Sequence, residues 1–552
     1  MTPPDPQPSR RRVLTTGLGA AAGAALGAPA LVGCATKEAV SASNVGVDRV
    51  PWPDHVPAEV PEPDLPADPK GVDPAYFGYP SRLVTSVPER PGNGETVTVL
   101  VETYEQPPAP VGENKFWQAV NKALGVDLKL HVVPTANLQA KLATLMASGD
   151  MPDAVMCRDT IPRIADYATA VAQDLSEHLS GSAVRDYPNL ANLPGYAWRN
   201  VGLMAGRIRG VPIIRPRTYT VMMANREQFT KAAGGPYEHW TADQYLETLG
   251  RASGHRVWGL GNIGTFLFGL RSFSAWHGAP NQWRRTANGT FVKAEAAPEF
   301  REAVEFCRKV YRSGSAYPGG TTVMNPQIEA LFQNQSIRSY EDTYNAYPKR
   351  VTDVKKFTVD LLRAPTGLGS GPVAHFHPGT YGYTILKKAS PDRIRLILRI
   401  MNFLAAPFGT KEFELTNYGV EGVHFTRTPD GDLQLTDLAG KENPSVVPIK
   451  YLTCPPTVSY FPGNPDAARR AHAYQTAQLP IALSPPNSGL ISRTGVKKTQ
   501  NLSLILNDAT NAIAQGQKPI SAWDGAVARW RREGGDVIAE EFQAEYEAVH
   551  GR

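Results

Sequence analysis

Residues 95–102 (ETVTVLVE) alternate between polar and β-branched side chains, which predicts a strand. A helical stretch follows with Phe116, Val120 and Leu124 on one side, then a second strand over residues 126–133 (VDLKLHVV). Residues 137–148 place Leu138, Leu142, Leu145 and Met146 on one helix face, and residues 153–157 (DAVMC) form a short third strand. Strands separated by helices in this way pair in parallel through right-handed crossovers, so this part of the chain is an α/β lobe. Ligands of such sheets sit beyond the carboxyl ends of the strands. The residues that emerge there are Tyr104 and Glu105 after the first strand and Arg158 and Asp159 after the third.

Further along, residues 219–224 (YTVMMA), 357–362 and 380–386 read as strands, and residues 241–249 as a short helix. Residues 298–312 form an amphipathic helix with Phe300, Ala303, Val304, Cys307, Val310 and Tyr311 on one side. Ser390-Pro391-Asp392 supplies an N-cap, a first-turn proline and an acid matched to the helix dipole. The helix they open carries Ile394, Ile397, Leu398, Met401 and Leu404. Residues 428–431 (TPDG) are a turn, and two helices close the chain, one with Trp523, Val527 and Trp530, the other with Ile538, Phe542 and Tyr546.

The amino terminus breaks this pattern. Ser9-Arg10-Arg11-Arg12 precedes an uncharged Ala/Gly run over residues 15–32, the layout of an export signal of twin-arginine type. Leu31-Val32-Gly33-Cys34 resembles a bacterial lipobox, which makes Cys34 the acylated first residue of a mature lipoprotein after a signal at residues 1–33; in the alternative, a plain signal peptide, Cys34 is incidental. Residues 34–93 lack periodicity, and eleven prolines fall between Pro51 and Pro91. Proline favours extended backbone, so the stretch reads as a semi-rigid tether; its other reading is a strap on the folded body, held by Trp52, Tyr76, Phe77 and Tyr79.

A chain of 552 residues holds two to four domains at about 100–200 residues each. With 20% charged residues and a net charge of +5, it is neither a membrane bundle nor a nucleic-acid scaffold. Cys157, Cys307 and Cys454 have no Cys-x-x-Cys spacing, which argues against zinc. Residues 259–264 match GxGxxG, but no acid lies between Gly264 and Glu295 to hold a ribose. Phosphate-loop, GxSxG and HExxH segments are missing. His375 and His377 lack an obvious third ligand, and the adjacent Glu341 and Asp342 point to opposite faces of a strand. No catalytic group, cofactor or metal is expected.

Residues 138–153 (LQAKLATLMASGDMPD) resemble a segment of the extracellular solute-binding proteins of carbohydrate ABC importers. Residues 417–425 (NYGVEGVHF) and the end of the chain, Trp523-Asp524 and residues 540–546 (EEFQAEY), are similar to the large lipoprotein branch of that family, which serves aldouronate and other oligosaccharide uptake. The resemblance covers roughly residues 95–548. It implies a type II periplasmic-binding-protein fold, two α/β lobes joined by a hinge with the ligand cleft between them. Lobe 1 would comprise residues 95–216 and 358–420 and lobe 2 residues 220–355 and 421–548, with crossings near 215–219 and 355–362. It further implies a non-catalytic, monomeric receptor, lipid-anchored at Cys34 on the outer face of the cytoplasmic membrane, delivering an oligosaccharide to the transmembrane subunits of an ABC permease. Some relatives carry a calcium loop where this chain reads residues 250–256 (GRASGHR), which has no carboxylate, so no calcium is expected there.

Sugars offer apolar C–H faces to aromatic rings and hydroxyl rims to polar side chains. To Tyr104, Glu105, Arg158 and Asp159 this adds Tyr219 at the first crossing, Trp276 in an irregular stretch, Tyr340, Asp342 and Tyr344 in an aromatic segment, and His377 and Tyr381 on a later strand of the first lobe. Trp117, Trp523 and Trp530 lie on helix faces and are assigned to the core. Arg158, Arg215, Arg217 and His377 hint at an acidic sugar such as a uronide. Two rivals stand beside this reading: a secreted carbohydrate-active enzyme, which needs two cleft carboxylates, and the same fold serving a peptide or another small solute.

Overall fold

The computed structural model describes residues 41–263, 269–323 and 325–551. The export signal and Cys34 lie outside the described residues, as does Gly264 of the GxGxxG match. Strands β1 (Thr96–Thr103), β2 (Asp127–Pro134) and β3 (Ala154–Cys157) pair in parallel with β1 in the middle, as the alternation predicts. Helix α1 (Lys115–Leu124) starts where the Asn114 side chain accepts the Trp117 N–H at 2.8 Å, and it buries Phe116, Trp117, Val120 and Leu124 against the sheet. Helix α2 (Leu138–Ser148) buries Leu138, Leu142 and Leu145. The strand Thr380–Leu386 then lies antiparallel beside β3, with β4 (Val211–Ile214) at the edge. Because this strand runs the other way, its first residues reach the same sheet end as the carboxyl ends of β1, β3 and β4.

In the second sheet β5 (Thr220–Asn225) is central, antiparallel to both Ser339–Thr343 and Val359–Leu362. Alternation along β5 gives each face its own core. Met222, Ala224 and Leu362 pack with Phe273, Trp276 and Phe306 on one side; Val221, Met223 and Leu361 pack with Phe332, Tyr340 and Tyr347 on the other. The helix Pro298–Arg312 buries its predicted stripe except Tyr311, which is half-buried. Trp523 and Trp530 are core residues of the same lobe. Among the described residues no helix is long and apolar enough to cross a membrane.

Three expected boundaries move. Val359–Leu362 hydrogen-bonds to β5, so it belongs to the second sheet, and the return to the first lobe comes after it. Residues 447–452 belong to the first core through Val447, Ile449, Tyr451 and Leu452, so the assignment of all of residues 421–548 to the second lobe fails; the chain crosses once more before Phe461 and Ala467. Residues 41–93 are not a free tether. Ala42 is buried in the first core, Ala75 in the second lobe, and Tyr76 and Tyr79 in an aromatic cluster with Phe408 and Tyr460. The Tyr76 and Phe408 rings lie 4.4 Å apart. Prolines have already removed much of the backbone freedom of this segment, so a few buried rings, each worth roughly 1.5–3 kcal/mol, suffice to fasten it.

Candidate functional site

At the carboxyl end of the first sheet, Glu102 is the penultimate residue of β1 and is fully buried. It accepts a hydrogen bond from the Tyr381 hydroxyl and pairs with Arg158 at 3.6 Å. Tyr381 sits at the start of its antiparallel strand, half-buried, with its hydroxyl also 2.7 Å from that of Tyr104. The guanidinium carbons of Arg158 and Arg215 lie 4.8 and 4.5 Å from the Tyr381 ring centre, and Arg215 also covers Tyr451 at 5.7 Å. Tyr104 is 56% exposed, so its ring offers an open face. Glu105 is half-buried and Asp159 exposed at the same end.

Where the chain leaves the first lobe, Arg217 is caged between Tyr196 (4.6 Å) and Phe376 (4.1 Å). Two glycines make room for this cage. A Cβ on Gly71, at φ +96°, would meet the Arg217 side chain at 2.7 Å, and one on Gly379, at φ +95°, would meet the Tyr196 ring at 2.4 Å. Tyr219 stands edge-on to His377 with ring centres 4.7 Å apart, and Arg271 covers Tyr219 at 4.2 Å. Burial, reinforced by Arg215, Arg271 and Arg217, pushes the His377 imidazole down to about 3, so it is neutral at physiological pH. Its Nδ1 accepts the Gly379 N–H at 3.0 Å.

Cationic groups here outnumber carboxylates that could answer them. Arg158 has Glu102, but neither Arg215 nor Arg217 forms an ion pair with a carboxylate among the described residues. Arg215 is 8% exposed, and its one hydrogen bond among the described residues is to the Ile214 carbonyl at 3.3 Å. Lys450 lies beside them with its ammonium 2.7 Å from the Ser445 hydroxyl. Burial and then the Arg215 charge push that ammonium down to about 8.

The structure brings Tyr104, Arg158 and Tyr381 into one cluster, with Glu105 and Asp159 beside it, and Tyr219 and His377 into a second one at the crossing. It does not bring the others. Trp276 is 5% exposed, packed against Tyr245 and Phe273 in the second core. Tyr340 is fully buried against Phe332, and Tyr344 stacks on Tyr347 inside the same core. Asp342 is 2% exposed and faces the Tyr340 side of its strand, where burial pushes its carboxyl up to about 7. All four are removed from the candidate set because a side chain enclosed in core offers no face to a solute. The adjacent Glu341 points the other way and accepts the Ser272 N–H at 2.7 Å. His375 is committed to the Ala279 carbonyl at 2.9 Å. Among the described residues no group of three or more His, Cys, Asp or Glu is placed to hold a metal ion.

Sequence reasoning missed Glu102, Lys450 and Tyr451. An acid directly after the apolar run of residues 99–101 (VLV) was a usable signal for Glu102. Lys450 and Tyr451 come from a short 3-10 turn that only tertiary packing carries to this sheet end.

Two α/β sheets, one presenting its strand ends with aromatic and cationic side chains beside the crossing segments, define a two-lobed solute-binding architecture. A solved HMO-binding, ABC-transporter-associated solute-binding protein from Bifidobacterium longum infantis has the same fold, with a TM-score of 0.60 at 12% identity, covering 84% of this chain and 100% of that one. Residues 115–418 match the bacterial extracellular solute-binding protein model, and the chain belongs to that family, which is non-catalytic. Two Bacillus subtilis relatives are similar over most of their length. The polygalacturonan/rhamnogalacturonan-binding protein YtcQ is 20% identical over 80% of this chain and 89% of its own, and the lipoprotein LipO is 23% identical over 83% and 93%.

Proposed function

We propose that this chain is the lipid-anchored receptor of an ABC importer, capturing an acidic, uronide-containing oligosaccharide between its lobes and delivering it to the permease. The observation that carries the acidic ligand is the pair Arg215 and Arg217, buried or half-buried cations without an ion-paired carboxylate among the described residues. A buried charge is costly unless it is paired, and a ligand carboxylate supplies the missing partner bidentately. Tyr104 offers an open stacking face, Tyr219 and Tyr381 ring edges and hydroxyls beside their covering arginines, Arg158 and His377 hydrogen bonds, and Glu105 and Asp159 acceptors for hydroxyls. The name of YtcQ, a binder of polygalacturonan, supports an acidic sugar, and that of LipO supports acylation, here at Cys34. The receptor is a monomer exported by the twin-arginine route and displayed outside the membrane. A peptide amine fits less well, because the buried carboxylate, Glu102, is already engaged by Tyr381 and Arg158.

Calorimetry of the mature chain against galacturonate, alginate and neutral oligosaccharides, with each ligand recovered and sized afterwards, tests this. Saturable binding of an intact uronide is the expected result. Preference for a neutral sugar or a peptide overturns the acidic reading, and a shortened product overturns the receptor.

The reading carries a pH dependence. Lys450 titrates near 8 in the free protein, and a bound carboxylate holds its proton more tightly. Uronide affinity is therefore full below pH 8 and falls above it, by at most about tenfold per pH unit for one linked proton. In Lys450→Met the fall between pH 7.5 and 9.5 disappears. The ligand-free protein shows the opposite sign. Its depressed Lys450 makes the unfolded chain the better proton binder, so this group adds stability as pH rises from 8 towards the ordinary lysine range.

A further inference from the structure

The segment before β1 grips both lobes at once. On the first lobe, Ala42 donates to Asp166 at 3.1 Å and accepts from the Ala205 N–H at 2.9 Å. The Asn44 side chain donates to the Leu203 carbonyl at 2.8 Å and accepts the Gly206 N–H at 2.9 Å. On the second lobe, one carboxylate oxygen of Glu545 takes both the Asn44 N–H, at 2.9 Å, and the Ser43 hydroxyl. Glu545 is 2% exposed on the helix Asp536–His550, whose Ile538 and Phe542 are anchored in the second core. Its other oxygen is buried, with no hydrogen-bond partner among the described residues.

Further along, the strap is fastened to the second lobe again. Asp73 accepts the Thr457 hydroxyl at 2.5 Å and the Gln475 amide at 2.8 Å, and Ala75 lies in that core. The lobes also touch directly, where the Arg163 N–H meets the Val496 carbonyl at 3.2 Å.

From this two-sided grip we propose that residues 42–44 are a latch that holds the lobes together, and that opening the cleft breaks the Ser43 and Asn44 bonds to Glu545. This rests on the lobe-closure reading of the fold. The grip is unequal, which decides where it yields. Four hydrogen bonds and a buried alanine hold residues 42–44 to the first lobe, whereas one carboxylate oxygen holds them to the second, with the exposed Arg49 guanidinium on the Val549 carbonyl of the same helix as the neighbouring tie. A carboxylate released into water is well solvated, so the latch opens without leaving a stranded charge. While it stays shut, the charge-assisted bonds to Glu545 favour the closed form, by roughly tenfold or more in population. The strap thereby sets how readily the receptor opens to load and release its solute.

The test is a distance measurement that needs no ligand. Spin labels at Lys129→Cys and Lys231→Cys, one per lobe, are read by pulsed EPR in the mature chain carrying Cys34→Ser and Cys454→Ser. Ser43→Ala and the near-isosteric Glu545→Gln are each expected to raise the fraction of long interlobe distances about tenfold in the ligand-free protein. Each is also expected to weaken galacturonate oligomer binding by a similar factor. Unchanged distances in both variants overturn the latch, including the case where melting temperature falls and the contact is only a structural pin. A wild type whose distances never vary, with or without the oligomer, overturns closure and the latch with it. Altered distances without any oligomer binding support the latch and fault only the choice of sugar.

Discussion

Arg215→Met abolishes tight binding of acidic oligosaccharides and leaves the free protein as stable as before or more stable. The two effects have opposite signs because the charge is unpaired until a ligand arrives. In the free protein Arg215 is 8% exposed, its guanidinium lies over the adjoining rings of Tyr381 and Tyr451, and among the described residues it hydrogen-bonds a carbonyl and no carboxylate. Carrying such a charge unpaired is a cost to folding, and methionine keeps most of the packing while removing that cost. In the complex the guanidinium meets a carboxylate away from bulk water, and losing one partner of such a pair costs about 2–5 kcal/mol, a factor of roughly 30 to several thousand in Kd. Neutral oligosaccharides lose only a hydrogen bond, about 1 kcal/mol. Calorimetry on both sugar classes, with thermal melts of the free variants, separates the terms. Equal losses for acidic and neutral sugars, or a marked drop in stability, would show that Arg215 is a structural cation.

The first sheet was legible because its information is local. Strand alternation, the helix stripes of α1 and α2, and the rule that ligands gather at strand carboxyl ends placed Tyr104 and Arg158 without any motif, and they lie together. Pairings over long sequence separations were not legible. Val359–Leu362 reads as a strand, but nothing in it says that its neighbour is β5 rather than the first sheet. The strap carries its aromatics at Tyr76 and Tyr79, yet their partners, Phe408 and Tyr460, lie more than three hundred residues away. Composition revealed an extended backbone and could not say what it lies against. Arg217 was legible as a charge; its cage joins Tyr196, from a helix of the same lobe, to Phe376, from a segment far along the chain.

Trp276 shows most clearly how an irregular sequence misleads. Residues 273–278 (FSAWHG) read as an irregular stretch in which a core tryptophan is less expected; in fact the tryptophan ends the short helix Leu270–Trp276 and is 5% exposed. Its ring meets Tyr245 edge-on at 5.3 Å and 89°, and Phe273 at 5.3 Å. A helix this short gains little from backbone hydrogen bonding, so packing of this kind must hold it. Trp276→Ala therefore lowers the unfolding free energy by about 3–5 kcal/mol, the cost of emptying a large aromatic site in a close-packed core. Urea titration reads that loss. Galacturonate oligomers bound below the transition keep their wild-type Kd, because the cavity opens in the second core and not among the strand ends of the first sheet. Trp276→Phe completes the argument, since ligand-induced tryptophan fluorescence changes persist without this indole. A weakened Kd in the folded Ala variant, or a silent Phe variant, would return Trp276 to the cleft.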